Sequence, residues 1–261
     1  VFLVPTHAQT LQAVGLDVIR AHDLGSLDTL FFNAAALPPL LKEWVAETFP
    51  GAGIHELYGS TEAGIVTDLR PGDAMRKAGS VGHAWHLTEV KIVDASGEPT
   101  PPGAPGELFS RSPYLMNGYL DNPEATAECT TEDGFLSCGD IAIRDEDGYI
   151  FIIDRKKDMI ISGGVNVYPR EIEDALRGHP AVYDVAVIGA EDQTWGERVV
   201  AVVVQAPGAS VTLEELDAHL RPLLAGYKIP RQLLVVGELP RNSSGKVLKR
   251  TLRELIPADA R

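Results

Sequence analysis

The stretch from Asp147 to Leu176 constrains this chain more than any other. Asp147-Gly148 is a turn dipeptide, and Tyr149-Ile150-Phe151-Ile152-Ile153 after it is a short β-branched and aromatic run that predicts a strand. Pro169-Arg170-Glu171-Ile172-Glu173-Asp174-Ala175-Leu176 predicts a helix, with Pro in the first turn, acids near the positive dipole end and apolar residues at helical spacing. Between them come three consecutive cations, Arg155-Lys156-Lys157, a short strand and the pair Gly163-Gly164. So abrupt a change of texture suits a domain junction. It divides the chain into 1–154, whose later part is β-rich, and 155–261, a compact α+β domain.

The remaining segments agree with a mixed α/β and α+β fold. Thr29-Leu30-Phe31-Phe32 is a strand candidate, Pro38-Pro39 opens a helix through Leu40, Leu41, Trp44 and Val45, and Ile54-His55-Glu56-Leu57 is a second strand. Short apolar runs at Val90–Val93, Glu107–Ser110 and Ile141–Ile143 alternate with turns such as Pro101-Pro102-Gly103. Val182–Ile188 and Val199–Gln205 read as strands, the second so apolar that both its faces should be buried. Thr212-Leu213-Glu214-Glu215 has capping-box spacing, and Pro222 should end the helix that follows. Leu248, Leu252 and Leu255 mark a last amphipathic helix with Lys249, Arg250 and Arg253 expected outward.

Charge narrows the partners. A formal net charge of −14 over 261 residues opposes a general nucleic-acid or anionic-membrane binder. No apolar run approaches a membrane span. Cys129 and Cys138 do not make a disulfide framework, so a reducing, cytoplasmic setting is expected. The chain opens at Val1 inside an apolar run, which reads as the interior of something longer.

Three stretches could carry chemistry. Arg241-Asn242-Ser243-Ser244-Gly245-Lys246 lacks the glycine spacing of a Walker loop, with Pro240 and Val247 in the key places, yet it can expose one lysine on a flexible arm. Tyr58-Gly59-Ser60-Thr61-Glu62 joins an aromatic, hydroxyls and a carboxylate straight after a strand, where α/β layers hold ligands. Such groups can stack on a base, meet phosphate and hold Mg²⁺. Gly139-Asp140 offers a carboxylate suited to a ribose diol, although a turn aspartate is the commoner meaning. The seven histidines show no metal-ligand spacing.

Taken in order, these stretches resemble the adenylate-forming superfamily of acyl-CoA synthetases, adenylation domains and beetle luciferases. Tyr58–Glu62, Gly106-Glu107-Leu108, Gly139-Asp140, Asp154–Asp158, Gly163-Gly164, Tyr168–Glu173 and Pro240–Lys246 carry the resemblance. The wording of Asp154–Gly164 is most similar to the fatty and aromatic acyl-CoA ligases.

The resemblance implies that 1–154 is the C-terminal part of a large AMP-binding domain and 155–261 the small mobile C-terminal domain. It implies ATP or AMP, Mg²⁺ and CoA as cofactors, with a small carboxylic acid as substrate. Tyr58 and Gly59 would meet adenine, opposite the backbone of Asn33-Ala34-Ala35, where relatives often have Gly-Gly-Ala. Thr61 would touch the α-phosphate, Glu62 would sit by the metal, and Asp140 with Arg155 would hold the ribose. Lys246 falls at the catalytic lysine and Lys157 at the hinge; Gly163 and Gly164 would line the thiol channel. Cys138 stands where Thr is usual, and Ile161 where some relatives carry a second lysine. The superfamily's upstream phosphate loop is not in the sequence, so the chain is expected to be a C-terminal portion, inactive alone. An enzyme serving a separate carrier protein, a luciferase-like oxygenase and a noncatalytic interaction module remain open as alternatives.

Overall fold

The computed structural model describes residues 1–242 and 245–256, so Ser243 and Ser244 of the lysine loop lie outside the described residues. The chain divides into two compact units, Val1–Ile152 and Ile153–Arg261.

The first unit begins with β1 (Phe2–Leu3), α1 (Pro5–Val14), α2 (Leu16–Arg20), β2 (Thr29–Phe32), α3 (Pro39–Thr48), β3 (Gly53–Ser60), β4 (Gly64–Leu69) and β5 (His83–Ala84). The strands form one sheet in that order. β1, β2 and β3 run parallel, β4 pairs antiparallel with β3, and β5 pairs antiparallel with β4. Proline opens both α1 and α3, where a missing N–H costs nothing. Alternation in β2 and β3 turns Leu30, Phe32 and Ile54 onto Ala8 of α1 and Leu41 and Val45 of α3. Each such fully buried side chain contributes about 1.5–3 kcal/mol, and together they hold α1 and α3 on the sheet.

A second sheet holds β6 (Glu89–Val93), β7 (Gly106–Arg111), β8 (Asp140–Arg144) and β9 (Ile150–Arg155) in that order, with α4 (Pro123–Cys129) between β7 and β8. Ile92, Leu108, Ala142 and Ile150 share a core with Ala63 and Val66 of the first sheet's hairpin.

The second unit opens with a 3-10 turn at Lys156–Asp158, then β10 (Ile160–Ser162), β11 (Val165–Val167), α5 (Pro169–Arg177), β12 (Val182–Asp192), β13 (Gly196–Gln205), α6 (Leu213–Leu220), β14 (Gln232–Val235) and α7 (Lys249–Glu254). The sheet order is β11-β10-β13-β12, with β14 parallel to β13. The apolar run Val199–Val203 is fully buried, as its composition demands. Val199, Ala201 and Val203 face the core under α5 and α6, while Val200 and Val202 face Leu252 of α7. Thr212 and Glu215 form the expected reciprocal cap, and α6 stops at Leu220, before Pro222.

Three local readings need correction. β3 does not end at Leu57 but continues through Ser60, because β4 pairs with it as far as Ser60↔Gly64. Asp140 is the first residue of β8 rather than part of a turn. Lys249 points inward: its Nζ lies 2.8 Å from Glu173 Oε1, while Arg250 alone of the expected trio is almost wholly exposed. A lysine at a helix start can bury its stem when a carboxylate waits on the neighbouring helix. Among the described residues no helix is long and apolar enough to cross a membrane.

Candidate active site

Parallel pairing of β2 with β3, ending at Phe32↔Glu56, brings the loop after β2 and the last residues of β3 to the same edge of the sheet. Asn33, Ala34 and Ala35 leave that edge from β2, and Tyr58, Gly59 and Ser60 reach it along β3. Ala34 and Ala35 are exposed, and Ala34 has φ +66°, a left-handed conformation costing an L-residue about 1–2 kcal/mol. Strain at an exposed loop beside the carboxyl ends of parallel strands is a mark of functional sites.

Tyr58 Oη donates a 2.6 Å hydrogen bond to Asp140 Oδ2, joining residues 82 apart in sequence. Asp140 is buried to 5% exposure, whereas Tyr58 is half-buried and packs in part against the core under the β3–β4 hairpin. The turn before Asp140 is itself held: Ser137 Oγ donates to Glu107 Oε1 at 2.7 Å and accepts the Gly139 N–H at 3.0 Å. Gly139 has φ +73°, so the backbone needs glycine there.

Gly59 is required by a close approach. β4 carries an irregularity opposite the Tyr58–Gly59 step, and a Cβ on Gly59 would stand 2.0 Å from the Gly64 carbonyl oxygen. The strand then closes in a hairpin through Thr61, Glu62 and Ala63, with the Ala63 N–H donating to Ser60 Oγ at 3.1 Å. Ser60 Oγ also lies 3.0 Å from Cys138 Sγ, which ties this hairpin to the Asp140 turn. Thr61 is exposed in the hairpin.

Glu62 is half-buried, and its Oε1 accepts from Tyr119 Oη at 3.0 Å. The Met116 N–H donates to the Glu62 carbonyl at 2.8 Å, seating the loop that carries Tyr119. The carboxylate acceptor pushes the Tyr119 phenol above its ordinary value, because ionising it would remove the donated proton. Among the described residues, no group of three or more His, Cys, Asp or Glu side chains is arranged to hold a metal by itself. A single half-buried carboxylate instead suits a Mg²⁺ that arrives on phosphate oxygens.

In the second unit, Asp154 accepts the Arg155 N–H at 2.7 Å and the Arg170 N–H, in the first turn of α5, at 2.9 Å. Burial still pushes its carboxyl above the usual aspartate value, outweighing the Arg170 amide, the Lys249 charge and the Arg155 amide, which pull downward. Arg155 ends β9, and Lys157 is exposed in the single 3-10 turn after it. Ser162 pairs with Val165, leaving Gly163 and Gly164 as a two-residue hairpin turn with φ +59° and +78°. That turn type demands positive φ at both positions, so their backbone alone accounts for the glycine pair.

Lys246 is exposed, and its backbone is tied to Asn242. The Asn242 N–H donates to the Lys246 carbonyl at 2.9 Å, and the Lys246 N–H donates to Asn242 Oδ1 at 2.8 Å. Arg241 donates to the Gly245 carbonyl at 2.7 Å and pairs with Asp184 of β12 at 2.6 Å. The sequence had offered Asn242 and Arg241 only as flanks of the lysine. Tyr119 and Ser137 carried no signal of their own; their roles come from Glu62 and Glu107, far away in sequence.

Residues 1–120 match the AMP-binding enzyme family, and residues 171–246 match the AMP-binding enzyme C-terminal domain. A feruloyl-CoA synthase from an Amycolatopsis species is 44% identical over 255 residues, covering 97% of this chain and 51% of that protein. A long-chain-fatty-acid–CoA ligase from Bacillus subtilis (strain 168) is 40% identical over 237 residues, covering 90% of this chain and 42% of the other. Among solved structures, o-succinylbenzoate CoA synthetase from Bacillus subtilis, in complex with its acyl-adenylate intermediate, has a TM-score of 0.83 at 33% identity. That match covers 97% of this chain and 50% of the other. The chain therefore spans about half the length of the curated relatives it matches. With both family segments in order along it, and the adenylate-forming fold recovered over nearly all its length, the chain belongs to the AMP-binding enzyme family.

Proposed function

We propose that this chain is the C-terminal part of an acid–CoA ligase that adenylates a fatty or aromatic carboxylic acid and passes the acyl group to CoA. The observation that carries the reading is the pairing of Tyr58 with Asp140: a half-buried phenol whose Oη lies 2.6 Å from a buried carboxylate near the carboxyl end of β3. Base and ribose of a nucleotide need that combination. In this reading 1–154 completes the large AMP-binding domain and 155–261 is the small C-terminal domain.

The acid's carboxylate oxygen attacks the α-phosphorus of ATP, and the bond to pyrophosphate breaks. Tyr58 and Gly59 meet adenine against the Asn33-Ala34-Ala35 backbone, and Asp140, helped by Arg155, takes the ribose hydroxyls. Thr61 would donate to the α-phosphate, and Glu62 would hold the Mg²⁺ that accompanies ATP and whose charge would offset that of the phosphates. Lys246 stabilises charge developing between the carboxylate and the α-phosphate. In the second step the CoA sulfur attacks the acyl carbonyl carbon, loses its proton, and AMP leaves. Lys157 is the hinge between the steps, supported by its exposure in a single 3-10 turn; Gly163 and Gly164 flank the thiol's path. A cytoplasmic site is supported by Cys129 and Cys138 being free thiols.

Pyrophosphate exchange by the full-length parent, over a panel of fatty and aromatic acids, tests the reading. Acid-dependent exchange followed by CoA-dependent AMP release is expected, and no exchange with any acid would contradict it. The isolated chain should show no useful exchange, because orientation of ATP needs the upstream phosphate loop that relatives carry.

A further inference from the structure

A buried ion pair beside the Asn33–Ala35 loop has no part in the chemistry above. Lys42, on α3, is 1% exposed, and its Nζ is ion-paired with Oε1 of Glu56, on β3, itself 9% exposed. Lys42 Nζ also donates to the Ala74 carbonyl at 3.0 Å, and Glu56 Oε2 accepts the Leu37 N–H at 3.2 Å. Apart from the lysine charge, Glu56 Oε1 meets no aligned hydrogen-bond donor among the described residues. Desolvating two charges is so costly that apolar residues of similar volume commonly serve a fold as well or better. Stability is therefore a poor reason for this pair.

Its position supplies a better one. Glu56 is the register partner of Phe32, the last residue of β2, so it stands where the 33–37 loop departs. That loop is tied at its start by the Asn33 N–H to the Leu3 carbonyl at 3.2 Å, and at its end by Leu37 to Glu56. Between the ties sits Ala34 with φ +66°, a conformation that persists only where its surroundings hold it. Two residues on from Glu56, the same strand delivers Tyr58.

We propose that Lys42 and Glu56 are positioning residues: Glu56, held in place by Lys42, anchors the 33–37 loop through the Leu37 amide so that the loop backbone faces the Tyr58 ring at base-stacking separation. The inference rests on the nucleotide reading given above. It assigns the pair a role in nucleotide affinity that can be separated from stability.

Two variants make the separation: the double substitution Lys42→Met/Glu56→Leu, which removes both charges, and Glu56→Gln, which keeps an acceptor for Leu37 but leaves the buried lysine facing a neutral amide. In the isolated chain, the double variant should keep its urea midpoint, while hydrogen exchange at the Leu37 amide speeds up at least tenfold. Glu56→Gln should lower the midpoint yet retain most of that protection. In the full-length parent, the dissociation constant for AMP should rise about tenfold in the double variant and stay within threefold in Glu56→Gln. Affinity would then run opposite to stability, which a merely structural role cannot produce. Unchanged Leu37 protection in the double variant, or affinity that follows the midpoint across the two variants, would overturn the positioning role. Lost protection with unchanged AMP affinity would overturn the nucleotide-facing placement of the loop, and with it the reading on which the proposal rests.

Discussion

Replacing Gly59 by alanine should damage both the fold of the first unit and the nucleotide site. The new Cβ would lie 2.0 Å from the Gly64 carbonyl oxygen and 3.1 Å from the Ile65 Cα, all of it backbone that cannot rotate away. Relief to an ordinary contact requires the β3–β4 hairpin to open by about 1.4 Å, an overpacking cost of about 1–3 kcal/mol. The pairing at Gly59↔Ile65 and Ser60↔Gly64 would loosen with it, at about 1 kcal/mol for a lost hydrogen bond. A total of about 2–4 kcal/mol follows, and Tyr58 and Ser60 move with the backbone. A 1 Å misplacement of reacting groups can cost about 10²-fold in rate. Urea unfolding of the chain measures the first effect, and pyrophosphate exchange by the full-length parent measures the second. Gly72→Ala is the control, because a Cβ there meets nothing within 4 Å and should change stability by no more than about 0.5 kcal/mol. If Gly59→Ala unfolds at the wild-type urea concentration and keeps wild-type exchange, the close-approach argument is wrong.

Ala34→Gly removes the left-handed strain of about 1–2 kcal/mol but loosens the unfolded chain by about 0.4–1 kcal/mol, so urea unfolding should show a net gain of up to about 1.5 kcal/mol. Arg241→Ala cuts the ties to Asp184 and Gly245 and should speed amide exchange at Gly245 and Lys246, with adenylation by the parent falling about tenfold; unchanged exchange would remove Arg241 from the lysine loop's support. Because burial raises the Asp154 carboxyl, its ionised form burdens the fold at neutral pH, and its contribution to stability grows as pH falls through the raised value and is complete below about 3.9. Urea midpoints of the wild type and Asp154→Asn, compared from pH 7 downward, should move in the wild type's favour as acid is added; a constant gap would contradict that sign.

Much of the fold was legible because burial leaves a period in the sequence. The apolar run Val199–Gln205 announces a strand covered on both faces, and Thr212 with Glu215 announces a helix start. β1 and β4 escaped notice for opposite reasons. β1 is two residues long, whereas β4 includes the buried polar pair Thr67 and Asp68, which breaks the apolar pattern. The candidate site divides in the same way. Tyr58, Glu62, Asp140 and Lys246 stand in motifs whose wording points to chemistry. Of the partners that hold them, Ser60 and Arg241 lie in the same motifs without a distinct role announced there, whereas Tyr119 and Ser137 are ordinary residues brought near by pairing across tens of positions or by a local turn. Lys249 was misjudged because nothing local in the sequence announces Glu173 as its partner.

The most direct test of the account takes Lys246→Ala in the full-length parent and measures each half-reaction in a single turnover. Adenylation removes charge stabilisation worth a few kcal/mol when the lysine is lost, so acyl-adenylate formation should fall about 10²–10³-fold. Thioester formation from supplied acyl-adenylate and CoA should stay within a few-fold of wild type, because the proposed role of Lys246 is confined to the first step. Equal loss of both half-reactions, or an adenylation rate unchanged by the substitution, would contradict the role given to Lys246.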